Sequence, residues 1–467
     1  MPLHADQKPP LILPIPFRDP AAAFAPLADR EDMAVLLDSA LAGPRGRFSY
    51  IAVDPFRVLR CSAHPWRVTA DGQPQAGDAF TALADELKKW ARPASGPAPF
   101  TGGAIGFFAY ELGGVLENMP APKTTPWPTD MVAGLYDTIA AFDMERREAW
   151  VIAHDMVPGR APAATRATAL AEALGRAPIA HLPPIAGSWR AESAPAEYKA
   201  SVAAAIDAIR RGDIYQANVT QRFVAGIPPD ASSLDLYMHL RAAAPAPFAA
   251  FFNTGDGLHI LSASPERFLK LASDGHVETR PIKGTRPRGT TPAADAALAA
   301  ELMNSAKDRA ENLMIVDLLR NDLARVCIPG SIAVPMLCNL ETFPAVHHLV
   351  SVVTGRLQPT AGAVDLLRAA FPGGSITGAP KIKAMEIIHA LEPGARGPYC
   401  GTIAWFGFDG AMDSSIVIRT LVRQGTMLVA QAGGGIVAES DPAQEYDESV
   451  TKVTPLLRVV GNGSVSC

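Results

Sequence analysis

Residues 247–272 read PFAAFFNTGDGLHILSASPERFLKLA. Three apolar runs of strand length, 247–253, 258–263 and 267–272, follow one another with only short polar breaks between them. The same pattern recurs at 400–408, 414–424 and 427–432. It recurs again at 100–155, where GGAIGFFAY, MVAGLYDTIAAFD and AWVIAHD read as strands, and at Phe48–Val53 and Val58–Cys61. Helical spacing is confined to a few stretches: Phe80–Trp90, with Phe80, Leu83 and Leu87 on one face, then Tyr198–Arg211, 295–326, a segment starting near Pro380, and 442–459. Strands that come in runs, with no internal repeat and no regular βαβ alternation, predict an α+β fold with large, mainly antiparallel sheets and helices packed outside. The composition shifts to Pro, Ala and Arg around 157–195. The chain therefore divides into an N-terminal region (1–155), a linker (156–195) with a short helix inside it, and a second region (196–460).

The 467 residues are 48% hydrophobic and 19% charged, with a net charge of −5. That balance points away from nucleic acid or an acidic membrane as a partner. Cys61, Cys327, Cys338, Cys400 and Cys467 are odd in number and lack CxxC spacing, so they read as reduced thiols. The start, MPLHADQKPP, has no apolar core of signal-peptide type, and no apolar run reaches transmembrane length. These features predict a soluble cytoplasmic protein.

Several segments carry chemistry. In Pro281-Ile282-Lys283-Gly284-Thr285-Arg286-Pro287-Arg288-Gly289, prolines and glycines pin a loop around Lys283, among Arg280, Arg286 and Arg288. Such a cationic neighbourhood can lower an amine's pKa and leave it nucleophilic, although a basic surface turn reads the same way. On a helical pattern from Lys307 to Asp322, Glu311 shares a face with Ile315, Leu318 and Asp322; burying it there calls for a cation. Asp441 and Pro442 open the last helix, on which Glu445, Glu448 and Lys452 share a face. These carboxylates suit a Mg²⁺ site completed by water and an anionic substrate, or else a surface Glu-to-Lys pair. Phe371–Lys381 (FPGGSITGAPK) feeds a helix but lacks phosphate-loop spacing, and Gly433-Gly434-Gly435 follows a strand; each also reads as a plain tight turn. His347 and His348 have no zinc-type spacing and suit either an acid–base role or a strand start.

Taken together, these segments resemble the chorismate-utilising family: anthranilate, aminodeoxychorismate, isochorismate and salicylate synthases. The matching stretches are Tyr215–Arg222 (YQANVTQR), Ser264–Phe268 (SPERF), PIKGTRPRG, KDRAENLMIVDLLRNDLARV, PAVHHLVS, FPGGSITGAPK and the AGGGIV…EYDES…K tail, spanning roughly 196–455. Residues 1–155 resemble the family's N-terminal region more loosely. There Leu36-Leu37-Asp38-Ser39-Ala40 is similar to an element that binds tryptophan in some members, which marks Leu37 and Ser39. The resemblance implies sheets packed in a sandwich and a set of roles. Glu311 and Glu448, with Glu445 nearby, become Mg²⁺ ligands. Tyr399, Arg419 and the Gly433–Gly435 backbone hold the enolpyruvyl carboxylate. Lys452, assisted by the Ser375 loop, holds the ring carboxylate. Glu266 becomes a general acid/base, and His348 assists loss of the ring hydroxyl. Gln216 stands where water-using members carry a lysine, which argues against water as nucleophile. Lys283 stands where anthranilate synthases carry alanine, and PIKGT is the aminodeoxychorismate synthase form. That form implies a Mg²⁺-dependent, transaminase-type transfer of an amino group to chorismate through a covalent lysine, on the way to para-aminobenzoate and folate. None of the five cysteines lies in a GxCxGxQ-type loop and no room for a fused lyase follows residue 455, so ammonia is expected from a separate glutamine amidotransferase subunit. The alternatives are anthranilate synthase component I and a catalytically silent subunit, either tryptophan-sensing or a scaffold.

Overall fold

The computed structural model describes residues 8–28, 33–41, 43, 45–62, 65–176, 184–343, 346–461, 463 and 465–466. Residues 1–7, from which a signal-type core is missing in the sequence, Pro344-Ala345 of the histidine motif, and Cys467 lie outside the described residues. Two sheets dominate, one of thirteen strands and one of twelve among the described residues. Their pairing is antiparallel except where Ser188–Ala191 lies parallel to Val465–Ser466.

The quoted stretch forms the strands Phe248–Asn253, Leu258–Ser264 and Arg267–Leu271. The first two are neighbours in one sheet and the third belongs to the other. Side chains of the first strand alternate between two cores. Ala249 and Phe251 face the outer core under the helices, while Ala250 and Phe252 face the core between the sheets. Successive residues of a strand point to opposite faces, and here both faces are buried, so an unbroken apolar run results. Tyr50, Ile105, Phe107, Ile260 and Trp405, drawn from both sheets, fill the middle layer. The helices Pro20–Ala28, Ala163–Leu174, Ser233–Ala243 and Pro442–Leu457 cover one outer face, and Ala79–Lys89, Ala306–Ala324 and Ala363–Ala370 cover the other. The result is an α+β sandwich with its helices outside.

Strands from before residue 155 pair directly with strands from after 196 in both sheets. Val35–Asp38 lies beside Phe248–Asn253, and Gly103–Phe108 beside Thr402–Gly407.

Four local expectations change. The 295–326 zone is two helices, Pro292–Asn304 and Ala306–Ala324, broken at Ser305, whose hydroxyl caps the second by accepting from the Asp308 amide. The Lys283 segment is a strand, Ile282–Pro287, rather than a pinned loop. The three glycines lie inside the strand Met427–Ile436, not in a turn after it. The run read as 414–424 is also two strands, Met412–Ile416 and Thr420–Gln424, which belong to different sheets. The chain therefore changes sheets at 417–419, and it does so again at Pro265-Glu266.

Candidate active site

These two sheet crossings lie side by side. The Ser264 hydroxyl donates to the Ile416 carbonyl at 2.6 Å, the Ile416 amide to the Glu266 carbonyl at 3.2 Å, and the Ala263 amide to the Arg419 carbonyl at 3.0 Å. Glu266 and Arg419 are thus fixed by backbone where the sandwich opens. Arg419 takes a positive φ of 54°, a region non-glycine residues rarely enter.

Lys283 enters from the strand Ile282–Pro287, separated from Arg267–Leu271 by two strands of the same sheet. Its pairing with Val346–Arg356 shifts register between Lys283 and Thr285, with Gly284 at φ 78°. A bulge with glycine in the left-handed region bends a strand and re-aims its side chains. Lys283 Nζ donates to the Ser375 carbonyl at 3.1 Å, and the Ser375 hydroxyl donates to Glu266 Oε1 at 2.8 Å. The amine's pKa is lowered, first by burial and then by Lys452, against the opposing pull of Glu311 and Glu266. The flanking arginines do not set it. Arg286 is engaged with Glu301 and Asp308, Arg288 with Asp295, and Arg280 with Glu278 and Glu341. Glu266 is 7% exposed; burial raises its carboxyl above the usual range, with Lys283 and Ser375 pulling the other way.

His348 sits across the ladder from Thr285, whose hydroxyl lies 2.9 Å from Nδ1. Burial, then the Arg45 cation, holds the imidazole down at about 4, so it is neutral at pH 7. His347 instead lies between Thr342 and Asp295, at 2.9 Å from each. Arg45 reaches over from the N-terminal region to pair with Glu341, the cross-strand neighbour of His348.

The opposite wall is the glycine strand and the last helix. Gly433 lies so close to its neighbour strand that a Cβ there would stand 2.1 Å from the Val219 carbonyl oxygen. A Cβ on Gly434 would meet Glu445 Oε2 at 2.9 Å, Lys452 Nζ at 3.8 Å and Glu448 Oε1 at 3.9 Å. Lys452 donates to the Gly433 carbonyl at 3.0 Å and pairs with Glu448 at 2.6 Å. Burial raises Glu311 and Glu445; at Glu448 burial pushes upward too, but Lys452, Lys307 and Lys283 together outweigh it and the carboxyl is lowered. No three of these groups form a ready-made metal cluster among the described residues. Two carboxylates and an ammonium nevertheless converge on the space over Gly434, with Glu311 coupled electrostatically to Glu445. That hard-oxygen set fits a dication whose remaining ligands are water and substrate.

Tyr399 is buried beside Cys400, which itself has φ 63° and whose amide donates to the Val417 carbonyl at 2.7 Å. Arg419 is electrostatically coupled to Tyr399 and donates to the Lys452 carbonyl at 3.1 Å. The structure therefore gathers Lys283, Glu266 and Ser375, and joins Arg419, Lys452 and Glu448 into a second contact chain beside Gly433 and Gly434. Leu37 and Ser39 line a different cavity of about 300 Å³ between the sheets, with Arg45, Arg267, Trp405 and Asp413.

Gln216, which the resemblance already singles out, lies in this region together with two side chains the sequence reading left without a role, Lys381 and Arg396. Gln216 is fully buried, and neither polar atom of its amide has a partner among the described residues; Nε2 lies 2.3 Å from where a Gly435 Cβ would be. Lys381 pairs with Asp322 at 2.7 Å and ties the Ser375 loop to the Glu311 helix. Arg396, 1% exposed, donates to the Ile376 carbonyl at 2.9 Å from behind the same loop. A lysine after GAP and an arginine among prolines and glycines were visible, but local spacing shows neither the pairing of Lys381 with Asp322 nor the reach of Arg396 to Ile376.

The family model described as chorismate binding enzyme matches residues 38–458. Component 1 of aminodeoxychorismate synthase from Salmonella typhimurium is 42% identical over 97% of this chain and 99% of that protein. Component 1 of anthranilate synthase from Streptomyces coelicolor is 38% identical over 94% of this chain and 86% of that protein. Among solved structures, anthranilate synthase component I from Streptococcus pneumoniae superposes with a TM-score of 0.78 at 32% identity, covering 89% of this chain and 93% of that one. No described helix is long and apolar enough to cross a membrane.

Proposed function

The chain belongs to the chorismate-binding enzyme family, and within it we propose that it aminates chorismate with ammonia to give 4-amino-4-deoxychorismate. The observation that carries this reading is the buried Lys283 amine, its pKa lowered, within hydrogen-bond reach of the Ser375–Glu266 pair. Water as nucleophile would need a base where Gln216 presents a neutral amide.

In this reading Arg419, Tyr399 and the Gly433–Gly435 backbone hold the enolpyruvyl carboxylate, and Lys452 with the Ser375 loop holds the ring carboxylate. Glu311, Glu445 and Glu448 would hold Mg²⁺, which when bound supplies charge compensation and an electron sink for the ring carboxylate. The neutral Lys283 amine adds to the ring beside the carboxylate-bearing carbon. Both ring double bonds shift towards carbon 4, and the 4-hydroxyl departs as water with a proton from a neighbouring acid. Glu266 suits that role better than His348, because its carboxyl is raised while the imidazole is already neutral. Ammonia then adds at carbon 4, both double bonds return, and the lysine leaves as a free amine, taking up the proton that the added nitrogen gives up. The step is an amination by ammonia, so transaminase-type describes it poorly. The ammonia would come from a glutamine amidotransferase partner, as the component 1 designation of the relatives suggests. Tryptophan is the proposed occupant of the Leu37 and Ser39 cavity.

Product analysis from chorismate, Mg²⁺ and an ammonium salt tests the reading. Aminodeoxychorismate is expected; anthranilate with pyruvate would place the chain with the anthranilate synthases instead. Lys283→Ala is expected to lower aminodeoxychorismate formation at least about a hundredfold, and an unchanged rate and product would remove the lysine from the mechanism. Glu448→Gln is expected to raise the Mg²⁺ concentration needed for half-maximal rate by roughly tenfold or more.

A further inference from the structure

Behind the Ser375 loop lies a second, much smaller cavity of about 50 Å³, bounded by Tyr110, Glu111 and Gly114, the 119–123 segment and the helix Lys381–Leu391. It has room for one or two water-sized molecules. Met119, Pro120, Met385 and Ile388 make it largely apolar. Two polar groups on its wall are unusual. The Tyr110 hydroxyl is buried without a hydrogen-bond partner among the described residues. Glu111 accepts only from backbone, at 2.7 Å from the Arg396 amide and 2.9 Å from the Gly397 amide, and makes no ion pair among the described residues. By contrast Glu392, on the same wall, is taken up by the Arg396 guanidinium at 2.6 Å. The cover is pinned from outside, by Lys123 donating to the Glu392 carbonyl and His389 lying 3.1 Å from the Ala121 carbonyl.

The inner wall of this cavity is also the back of the candidate active site. Arg396 stacks over the Tyr110 ring at 4.5 Å and reaches through to the carbonyl of Ile376, next to Ser375. A polar occupant the size of water, with several N–H donors and a positive charge, would satisfy both the lone hydroxyl and the uncompensated carboxylate. We propose that this cavity is a binding station for ammonium on its way to the ring, and that Glu111 takes the proton which turns it into nucleophilic ammonia. The inference rests on the amination reading above. One N–H bond of NH₄⁺ breaks, its electron pair stays on nitrogen, and the proton joins a Glu111 oxygen before returning to solvent; no oxidant or reductant is involved.

Burial, and then Asp130, push the Glu111 carboxyl up to about 7. The charged or titratable groups around it are Asp130, Arg396, Glu392, Lys123 and His389, with Tyr110 and Cys400 behind. A raised carboxyl is protonated below that pH and can accept a proton only above it. With chorismate saturating, the KM for total ammonium should therefore fall as pH rises through about 7, and fall again as free ammonia accumulates towards higher pH.

The test is steady-state kinetics of the whole chain with ammonium chloride as nitrogen donor. Glu111→Gln should raise the ammonium KM at neutral pH roughly tenfold and abolish the inflection near 7, leaving the chorismate KM within about twofold. Gly114→Leu is the second variant. A Cβ there meets only Met119 and Trp66, both at 3.8 Å, so the fold tolerates it while the longer side chain enters the cavity. It should raise the ammonium KM and spare the pH inflection. If either folded variant raises both KM values together, Glu111 and Gly114 act only as structural supports and the station is overturned. Unmoved ammonium KM values in an active enzyme overturn the station alone; a wild-type chain that aminates nothing overturns both the station and the amination reading.

Discussion

Arg419 holds a backbone conformation that an arginine does not choose on its own. The positive φ costs on the order of 1 kcal/mol or more, and the sheet crossing that imposes it aims the guanidinium at the space beside Tyr399. Arg419→Gly would relieve the backbone and remove the charge. It should melt no lower than the wild type while the chorismate KM rises on the order of a hundredfold; an unmoved KM would take Arg419 out of substrate binding. His348 carries a prediction of the opposite kind. Its folded-state value of about 4 lies below the ordinary 6.5, so it stays neutral as pH falls through 6.5 and charges only further down. His348→Asn should lower kcat without changing the shape of the pH–rate curve above about pH 5. Loss of an inflection near 6.5 in that variant would show that the histidine titrates during turnover. At this scale the sequence was informative about identities and poor about causes. Lys283 is legible as the residue of interest, yet its amine is tuned by burial, then by Glu311 and Glu266 pulling the other way, while the arginines that surround it in sequence are all spent on carboxylates.

The Glu311 helix and the helix that starts at Lys381 meet end to start through one ion pair. Asp322 is buried and Lys381 mostly so, and Lys381 also donates to the Ala370 carbonyl at 2.7 Å. The pair locks the Ser375 loop between the two helices. Asp322→Asn leaves an ammonium buried without its counter-charge and should cost about 3–5 kcal/mol in denaturant unfolding. Replacing both partners, as Asp322→Leu with Lys381→Met, should recover most of that. A single-variant cost under about 1 kcal/mol would mean the pair contributes little. Elements were legible where an amphipathic face or a cap announced them, as at Asp441-Pro442, whose carboxylate accepts from the Ala443 and Gln444 amides. They were misjudged where burial is two-sided. Gly433–Gly435 carries no side chain to show a period, so the strand read as a turn. The Lys283 strand hides its pairing behind a bulge, with Gly284 and Pro287 imitating a loop.

Across the whole molecule, the residues before 155 are structural partners of everything after 196. Strand Phe248–Asn253 leans on Val35–Asp38, Thr402–Gly407 leans on Gly103–Phe108, and the middle core draws on both. A fragment comprising 196–467 should therefore lack a cooperative thermal transition, and coexpression with 1–195 should restore one; a fragment that melts cooperatively by itself would show that its sheets close without the N-terminal strands. The sandwich was legible from strands in runs, but this interleaving was not, because pairing partners so far apart leave no mark on local spacing. Glu111 shows what that distance means in time. The Arg396 amide it needs lies 285 positions downstream. At about 5–20 residues per second of synthesis, its carboxylate waits roughly a quarter of a minute to a minute for its partner to be made. The edge of Gly103–Phe108 waits as long for Thr402–Gly407, so the nascent chain, more than the finished protein, is where this fold presents an open strand edge.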